Sequence, residues 1–401
     1  MNKPTAFVVG TFDTKSAELN FMVEHIAASG IDVGTIDLST SDQSFAATIG
    51  ASEIASFHPD GAAAVFTGDR GTSVAAMSKA FENWIIEHSD KVAGLLSAGG
   101  TGGTALATPA MRVLPIGVPK VMVSTVASGD VSAYVGPSDM NMMYSVTDVQ
   151  GLNRISREVL GNAASSLAGM IKFKPPAMSV ANELPGLGLM MFGVTTPAIQ
   201  AISKNLSDTY EPYVFHATGV GGRSMEKLVD GGFLSTVVDL TTTEICDMMF
   251  GGVLAANEDR FGAIIRTKIP YVGSVGALDM VNFGAPETVP ERYKDRLFYE
   301  HNPQVTLMRT TPEENKQMGK WICSRINEMH GPVRFLLPEG GVSALDTPDM
   351  PFWNPEATDA LFTTIEANFK SSDNRQLIKI PHHINAPEFA ADAAAQLRSI
   401  T

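Results

Sequence analysis

Gly94-Leu95-Leu96-Ser97-Ala98-Gly99-Gly100-Thr101-Gly102-Gly103-Thr104-Ala105 reads as a buried strand that enters a glycine-dense turn and then opens a helix. A strand, turn and helix in this sequence aim several backbone N–H groups and the positive end of the helix dipole at one point, which suits a phosphate. Side chains at the turn would block that approach. Gly100, Gly102 and Ala105 also fit the G-x-G-x-x-A form of the dinucleotide fingerprint. The fingerprint then fails, because no acidic residue follows until Asp130, beyond the end of the next strand where a ribose-binding acid is expected. The segment therefore favours a nucleotide phosphate over a nicotinamide dinucleotide. The competing account is that these glycines only permit tight turning and helix packing.

Outward from this segment, short β-branched runs alternate with longer stretches at helical spacing, the pattern of βαβ units and a mostly parallel sheet covered on both faces. In the first half, strands are expected at 6–9, 31–38, 63–67, 94–97 and 120–125, with helices at 16–28, 73–88, 103–113 and 151–172. The string Lys172-Phe173-Lys174-Pro175-Pro176 then marks a boundary, giving domains of 1–180 and 181–401. The second half repeats the pattern, with strands at 187–192, 213–216, 236–240, 271–274, 334–337 and 376–380. Helix starts are marked by Thr196-Pro197, Thr311-Pro312-Glu313-Glu314 and Asn354-Pro355, each a cap residue followed by Pro at the first helical position. The fold class is α/β, with two Rossmann-like, doubly wound, mostly parallel-sheet domains facing a cleft. The halves even open alike, as a strand followed by Gly10-Thr11 or by Gly193-Val194-Thr195-Thr196 and then a helix.

Composition excludes several classes of function. The chain of 401 residues carries a net charge of −14, which disfavours nucleic acid, since phosphate backbones are bound through clustered Lys and Arg. With 44% hydrophobic and 18% charged residues it has ample material for a core. It has no run of about 18 apolar residues for a membrane span, and it starts straight into the strand-like Ala6-Phe7-Val8-Val9, so a soluble, cytoplasmic protein is expected. Cys246 and Cys323 are the only cysteines, too few for a disulfide framework or a thiolate zinc site, and are read as buried thiols.

Other loops at strand ends carry candidate chemistry. Gly10-Thr11-Phe12-Asp13-Thr14-Lys15-Ser16 ends in Lys-Ser like a P-loop but lacks its glycine and spacing. A βα loop at the carboxyl edge of a parallel sheet is nonetheless where ligands bind. Lys15 is a candidate to neutralise phosphate and Asp13 to hold Mg²⁺, a hard cation that prefers carboxylate and phosphate oxygens. The alternative makes Asp13 or Thr14 a helix cap and Lys15 a solvated charge. Thr67-Gly68-Asp69-Arg70-Gly71-Thr72 and the 124–134 segment, with Ser128-Gly129-Asp130, add two further loops, although both contain common turn formers.

In the second half, His216-Ala217-Thr218-Gly219-Val220-Gly221-Gly222-Arg223-Ser224 offers a backbone nest for an anion, with Arg223 as a planar fork for carboxylate or phosphate. Glu244 and His301, with Glu300, come from other loops and are candidates to polarise a substrate or move a proton. Against this, Thr241-Thr242-Thr243-Glu244 fits a capping box. Asp279 and Glu339-Gly340-Gly341 are further polar residues at strand ends. The adjacent His382 and His383 would face opposite ways on a strand and so suit no shared metal ion.

The strings VVGTFDTKSAEL, GLLSAGGTGGTALATPAMRVLPIGVPKVMVSTVASGD, HATGVGGRSMEKL and GALDMVNFGAPETVP resemble, in order and over nearly the whole chain, the family that shares the ATP-binding N-terminal part of a tomato tobamovirus-resistance protein. The resemblance implies two α/β subdomains, ATP with Mg²⁺ on the first, and a tendency to form homodimers. It implies no particular reaction, and antiviral activity is not carried over. The nucleotide site passes to the matching loops alone: Gly10, Thr11, Asp13, Thr14 and Lys15; Gly99, Gly100, Thr101, Gly102, Gly103 and Thr104; and Ser128, Gly129 and Asp130.

Three functions compete. One is an ATP-dependent enzyme that holds a small anionic substrate at the interdomain cleft. Another is a non-catalytic nucleotide-binding dimer module. A sugar-nucleotide epimerase or glycosyltransferase-like enzyme is the third, by fold analogy alone.

Overall fold

The structure, a computed structural model, describes residues 4–41, 45–175 and 184–401. The chain divides into two compact units, Met1–Ala177 and Met178–Thr401. The expected boundary between residues 180 and 181, and Pro176 of the proline string, lie outside the described residues.

The first unit is built from β1 (Thr5–Gly10), α1 (Phe12–Ala28), β2 (Val33–Asp37), α2 (Ala51–Ala55), α3 (Arg70–His88), β3 (Val92–Gly99), α4 (Thr101–Val113), β4 (Lys120–Ser124), α5 (Ser132–Val135), β5 (Asn141–Tyr144) and α6 (Arg154–Lys172). Its strands lie in the order β2-β1-β3-β4-β5, all parallel. Successive residues of a strand face opposite ways, and β1 shows the result. Ala6 and Val8 pack with α1 and α6, while Phe7 and Val9 pack with α2, α3 and α4. Both faces are therefore covered, as an all-parallel sheet requires.

The strand expected at 63–67 does not form. Gly61 turns the chain at φ 81°, and Ala62–Ala64 closes a 3₁₀ turn. Three alanines offer none of the β-branched bulk that stabilises a strand.

The second unit contains β6 (Gly186–Met191), α7 (Thr196–Leu206), β7 (Glu211–His216), α8 (Val220–Asp230), β8 (Thr236–Thr241), α9 (Glu244–Phe250), α10 (Gly262–Thr267), β9 (Tyr271–Gly276), β10 (Met280–Phe283), β11 (Phe298–Asn302), β12 (Val305–Arg309), α11 (Pro312–Ile326), β13 (Val333–Pro338), α12 (Pro355–Asn368), β14 (Arg375–Ile380) and α13 (Pro387–Arg398). The parallel sheet runs β14-β13-β9-β8-β6-β7, and a small antiparallel sheet runs β10-β12-β11. Thr311 and Asn354 cap α11 and α12 with Pro at the first turn, as their sequences foretell.

Both parallel sheets have the same winding. In each, the first strand is followed by a helix on one face, and the strand on its inner side by a helix on the other. Thus α1 and α4 lie on opposite faces of the first sheet, and α7 and α9 on opposite faces of the second. This places a topological switch point between the carboxyl ends of β1 and β3, and another between those of β6 and β8. Such points are where open α/β sheets bind ligands.

Candidate functional site

At the first switch point the glycines of the β3–α4 turn fall into two groups. A Cβ on Gly99 would lie 3.1 Å from the Cα of Gly103, so Gly99 is required by internal packing. Gly100, Gly102 and Gly103 are different. A Cβ on them would meet nothing nearer than Thr125 Oγ1 at 3.7 Å, Arg70 Nη2 at 4.0 Å and the Ala98 carbonyl at 3.8 Å. None of the three has a positive φ. Neither crowding nor backbone strain inside the chain demands glycine there.

The first N–H in this turn to find a backbone acceptor is that of Thr104, donated to the Gly100 carbonyl at 2.9 Å. Those of Thr101, Gly102 and Gly103 occupy the open first turn of α4, the usual orphan donors of a helix start. Thr104 Oγ1 also reaches the Gly100 carbonyl at 2.8 Å and Ser124 Oγ at 2.6 Å. These bonds tie the end of β3 to the end of β4.

Opposite lies the β1–α1 loop, held by β2. The buried Asp37 accepts from the N–H of Phe12 at 3.2 Å and of Ser39 at 2.9 Å, and Ser39 Oγ in turn accepts from the N–H of Asp13 at 3.1 Å. Asp13 Oδ2 takes a bond from Ser41 Oγ at 3.1 Å. Its other oxygen, Oδ1, is buried and has no partner among the described residues. Asp13 stands inside α1, whose N-cap is Thr11, so it does not cap this helix. Thr14 pairs its hydroxyl with that of Thr11 at 2.9 Å. Lys15 leaves the helical region at φ −129° and ψ 17°, which kinks α1. Its ammonium forms no ion pair among the described residues.

The remaining loops of this unit behave as local turns. The N–H of Gly129 is donated to the Val126 carbonyl at 3.0 Å. Asp130 accepts from the N–H of Ser132 at 2.9 Å, and that bond holds its carboxyl below the usual range. Ser128, Gly129 and Asp130 thus close the turn ahead of α5. Asp69 caps α3 through the N–H of Thr72 at 2.9 Å, which likewise lowers its pKa.

In the second unit the expectation of an open anion nest is overturned. Glu244 Oε1 already accepts the N–H groups of Gly219 at 2.6 Å and Gly222 at 3.1 Å. A Cβ on Gly221 would fall 1.7 Å from the His216 carbonyl, so the turn is packed against protein atoms. Arg223 is tied to the same turn, its Nε donating back to the Gly219 carbonyl at 3.3 Å. Glu244 heads α9, where Thr243 makes no side-chain cap, so the capping-box alternative fails as well.

The other oxygen of Glu244 receives Arg260 Nε at 3.1 Å. Arg260, itself fully enclosed, also binds Asp239 at 2.7 Å and Glu226 at 3.0 Å. Burial pushes the carboxyls of Glu226 and Asp239 up. The same burial works against charge on Arg260, but its three acids hold it well above its ordinary value. No sequence motif announces this network, because its members come from α8, β8, α9 and the loop before α10.

His301 lies apart from Glu244. It is exposed on β11, where the pairing with β12 slips between Glu300 and Asn302. The structure thus does not bring Glu244, Arg223 and His301 into one reactive group. His383 accepts from the N–H of Asn385 at 3.0 Å on Nδ1 and faces the Ser343 carbonyl at 2.9 Å with Nε2, which assigns the ring proton to Nε2. It is a structural histidine.

The second switch point is closed. Thr195 and Thr241, at the ends of its two loops, bond each other at 2.8 Å, and Thr242, Thr243 and Glu244 are fully buried. Above them Phe352, Leu345, Leu307, Met280 and Ala277 form a small core that takes in Phe192 and Val194. At the first switch point, by contrast, Thr101 and Gly102 at the start of α4 are exposed. The thiols of Cys246 and Cys323 are free and buried, and no helix among the described residues is long and apolar enough to cross a membrane.

Residues 4–176 match the uncharacterised protein family (UPF0261) N-terminal domain, and residues 185–401 its C-terminal domain. A UPF0261 protein of Mesorhizobium japonicum is 55% identical over 392 residues, covering 98% of both chains. One from Rhizobium meliloti is 54% identical over 395 residues with the same coverage. The ToMV resistance protein Tm-1 of Solanum lycopersicum is 43% identical over 415 residues, which span 97% of this chain and 55% of that protein. With both domains matched in order and relatives aligned from end to end, the chain belongs to the UPF0261 family.

Proposed function

We propose that the first unit binds ATP with Mg²⁺ at its switch point. The observation that carries this reading is the trio Gly100, Gly102 and Gly103, whose missing side chains nothing inside the protein explains. A phosphate that must reach the backbone N–H groups of the first turn of α4 supplies the reason. Asp13 fits a metal partner, since its buried Oδ1 lacks any donor among the described residues. Lys15, with no ion pair among the described residues, fits a phosphate clamp. Asp13 would hold Mg²⁺ there, and the ion would supply positive charge to offset that of the phosphates.

A non-catalytic binding module has one specific observation in its favour. Glu244 and Arg223, the acid and the cation offered for catalysis, are held by the chain's own backbone and by Arg260. Homodimerisation belongs to the same reading and is read by light scattering with and without ATP.

Calorimetric titration of the whole chain with ATP, with and without Mg²⁺, and with a sugar nucleotide tests the proposal. Saturable ATP binding that weakens when Mg²⁺ is withheld is expected. A folded chain that ignores ATP, or that prefers the sugar nucleotide, overturns it. Product analysis of the same mixtures separates an ATP-consuming enzyme from a binding module.

A further inference from the structure

The geometry points to Arg70 as the residue that reads the terminal phosphates of the nucleotide and so sets a preference for triphosphate over monophosphate. This rests on the nucleotide site proposed above and adds to it a determinant outside its loops. Arg70 opens α3 rather than following a strand, and α3 lies beside α4, where Ser78 Oγ donates to the Ala105 carbonyl at 3.3 Å. That packing brings Arg70 Nη2 within 4.0 Å of the place a Cβ on Gly102 would fill. The guanidinium thus borders the space that the glycine leaves empty, over the orphan N–H groups of the first turn of α4.

Its neighbour Asp69 forms no ion pair with it. Both the backbone N–H and the hydroxyl of Thr72 are donated to Asp69 Oδ1, each at 2.9 Å, so that carboxylate is engaged as the α3 cap. Among the described residues Arg70 forms no ion pair, and it is exposed. A cation held by its helix near a cluster of orphan donors, with no acid of its own, is arranged to receive an anion. The planar fork of arginine favours a phosphate with two oxygens to offer. Lys15 belongs to α1 and Arg70 to α3, so the two cations are separate contributions.

The experiment is calorimetric titration of the full chain and of Arg70→Ala and Arg70→Lys with ATP and Mg²⁺, AMP, and inorganic tripolyphosphate. Arg70→Ala should weaken ATP and tripolyphosphate about tenfold or more, the usual scale for a hydrogen bond to a charged group. It should move AMP by less than about twofold, with Arg70→Lys in between. The melting temperature should not change, because the side chain is exposed. ATP affinity in Arg70→Ala within about twofold of the parent, or equal losses for ATP and AMP, overturns the assignment. If the parent binds ATP no better than tripolyphosphate but Arg70→Ala still loses the latter, the nucleotide reading fails while the role of Arg70 stands. A parent that binds none of the three removes both.

Discussion

Gly219 donates its backbone N–H to Glu244 Oε1 at 2.6 Å, so the anion seated at the start of α8 is supplied by the chain itself. Arg260 grips the other oxygen of the same carboxylate at 3.1 Å. Removing Glu244 strips an enclosed cation of one of its three acids and orphans two N–H groups. Glu244→Ala should destabilise the second unit by about 3–5 kcal/mol, the scale for breaking a buried pair from one side. Denaturant unfolding measures it. A loss under about 1 kcal/mol, smaller than most losses of a buried partner, would show that water replaces the carboxylate.

Gly102→Val should abolish ATP binding and leave the fold intact. The position has room for a side chain, with only the mobile tip of Arg70 within 4.0 Å of a Cβ, yet that same room is what a phosphate would use. Calorimetry and circular dichroism on one sample decide it. Normal folding with unchanged ATP affinity moves the nucleotide elsewhere.

Lys15→Ala should weaken ATP by roughly 1–3 kcal/mol, the range for hydrogen bonds to charged groups. Asp13→Asn should instead act through the metal, narrowing the difference between titrations with and without Mg²⁺. The two variants have different signatures because, among the described residues, one is a cation with no ion pair and the other holds a buried oxygen with no partner. A Mg²⁺ effect that survives in Asp13→Asn releases Asp13 from the metal role.

The second unit should lose stability as pH rises toward neutrality. Burial pushes Asp247 up to about 7, and burial likewise raises Asp279, whose Oδ2 accepts from Ser343 Oγ at 2.7 Å while Oδ1 has no partner among the described residues. An acid raised in this way keeps its proton in the folded chain after the unfolded chain has lost it. Its contribution is complete below the ordinary value of 3.8 and is lost as pH climbs through the raised one. One such proton gives a slope of at most about 1.4 kcal/mol per pH unit. Asp279→Asn imitates the neutral acid and should flatten the decline in urea unfolding measured between about pH 5 and pH 8. Profiles of parent and variant that run parallel contradict this.

Much of the fold could be read from local pattern, since most parallel strands contain a short apolar run and several long helices begin at a capping residue, although the edge strand β5 at Asn141–Tyr144 was not expected. Residues 63–67 misled because alanine is apolar without favouring a strand, and the turn at Gly61 carries no flag beyond a single glycine. The antiparallel sheet of β10, β11 and β12 escaped notice because its strands are only 4 or 5 residues long. At the site, the turn of Gly99 to Thr104 was legible as a motif. What could not be read was which glycine serves packing and which serves access. That distinction separates Gly99 from Gly102 and depends on neighbours brought in by folding. Asp37 and Arg260 were missed for the same reason, each acting across 16 or more residues, while Arg70 was read only as part of a candidate loop rich in turn formers. Glu244 was noticed, but its partners Gly219 and Gly222 were mistaken for a vacant nest.

The five strands of the first sheet all fall within Thr5–Tyr144, and α6, which packs against them, ends at Lys172. No described strand of either parallel sheet is borrowed from the other half. On the ribosome this means that the first sheet has every strand it needs before the first residue of β6 is made. At about 5–20 residues per second, the remaining half of the chain takes on the order of tens of seconds to emerge. A domain of this size folds well inside that interval. The nascent chain can therefore complete its first sheet while the long-range pairings of the second, which join residues as distant as Val272 and Arg334, are still being translated.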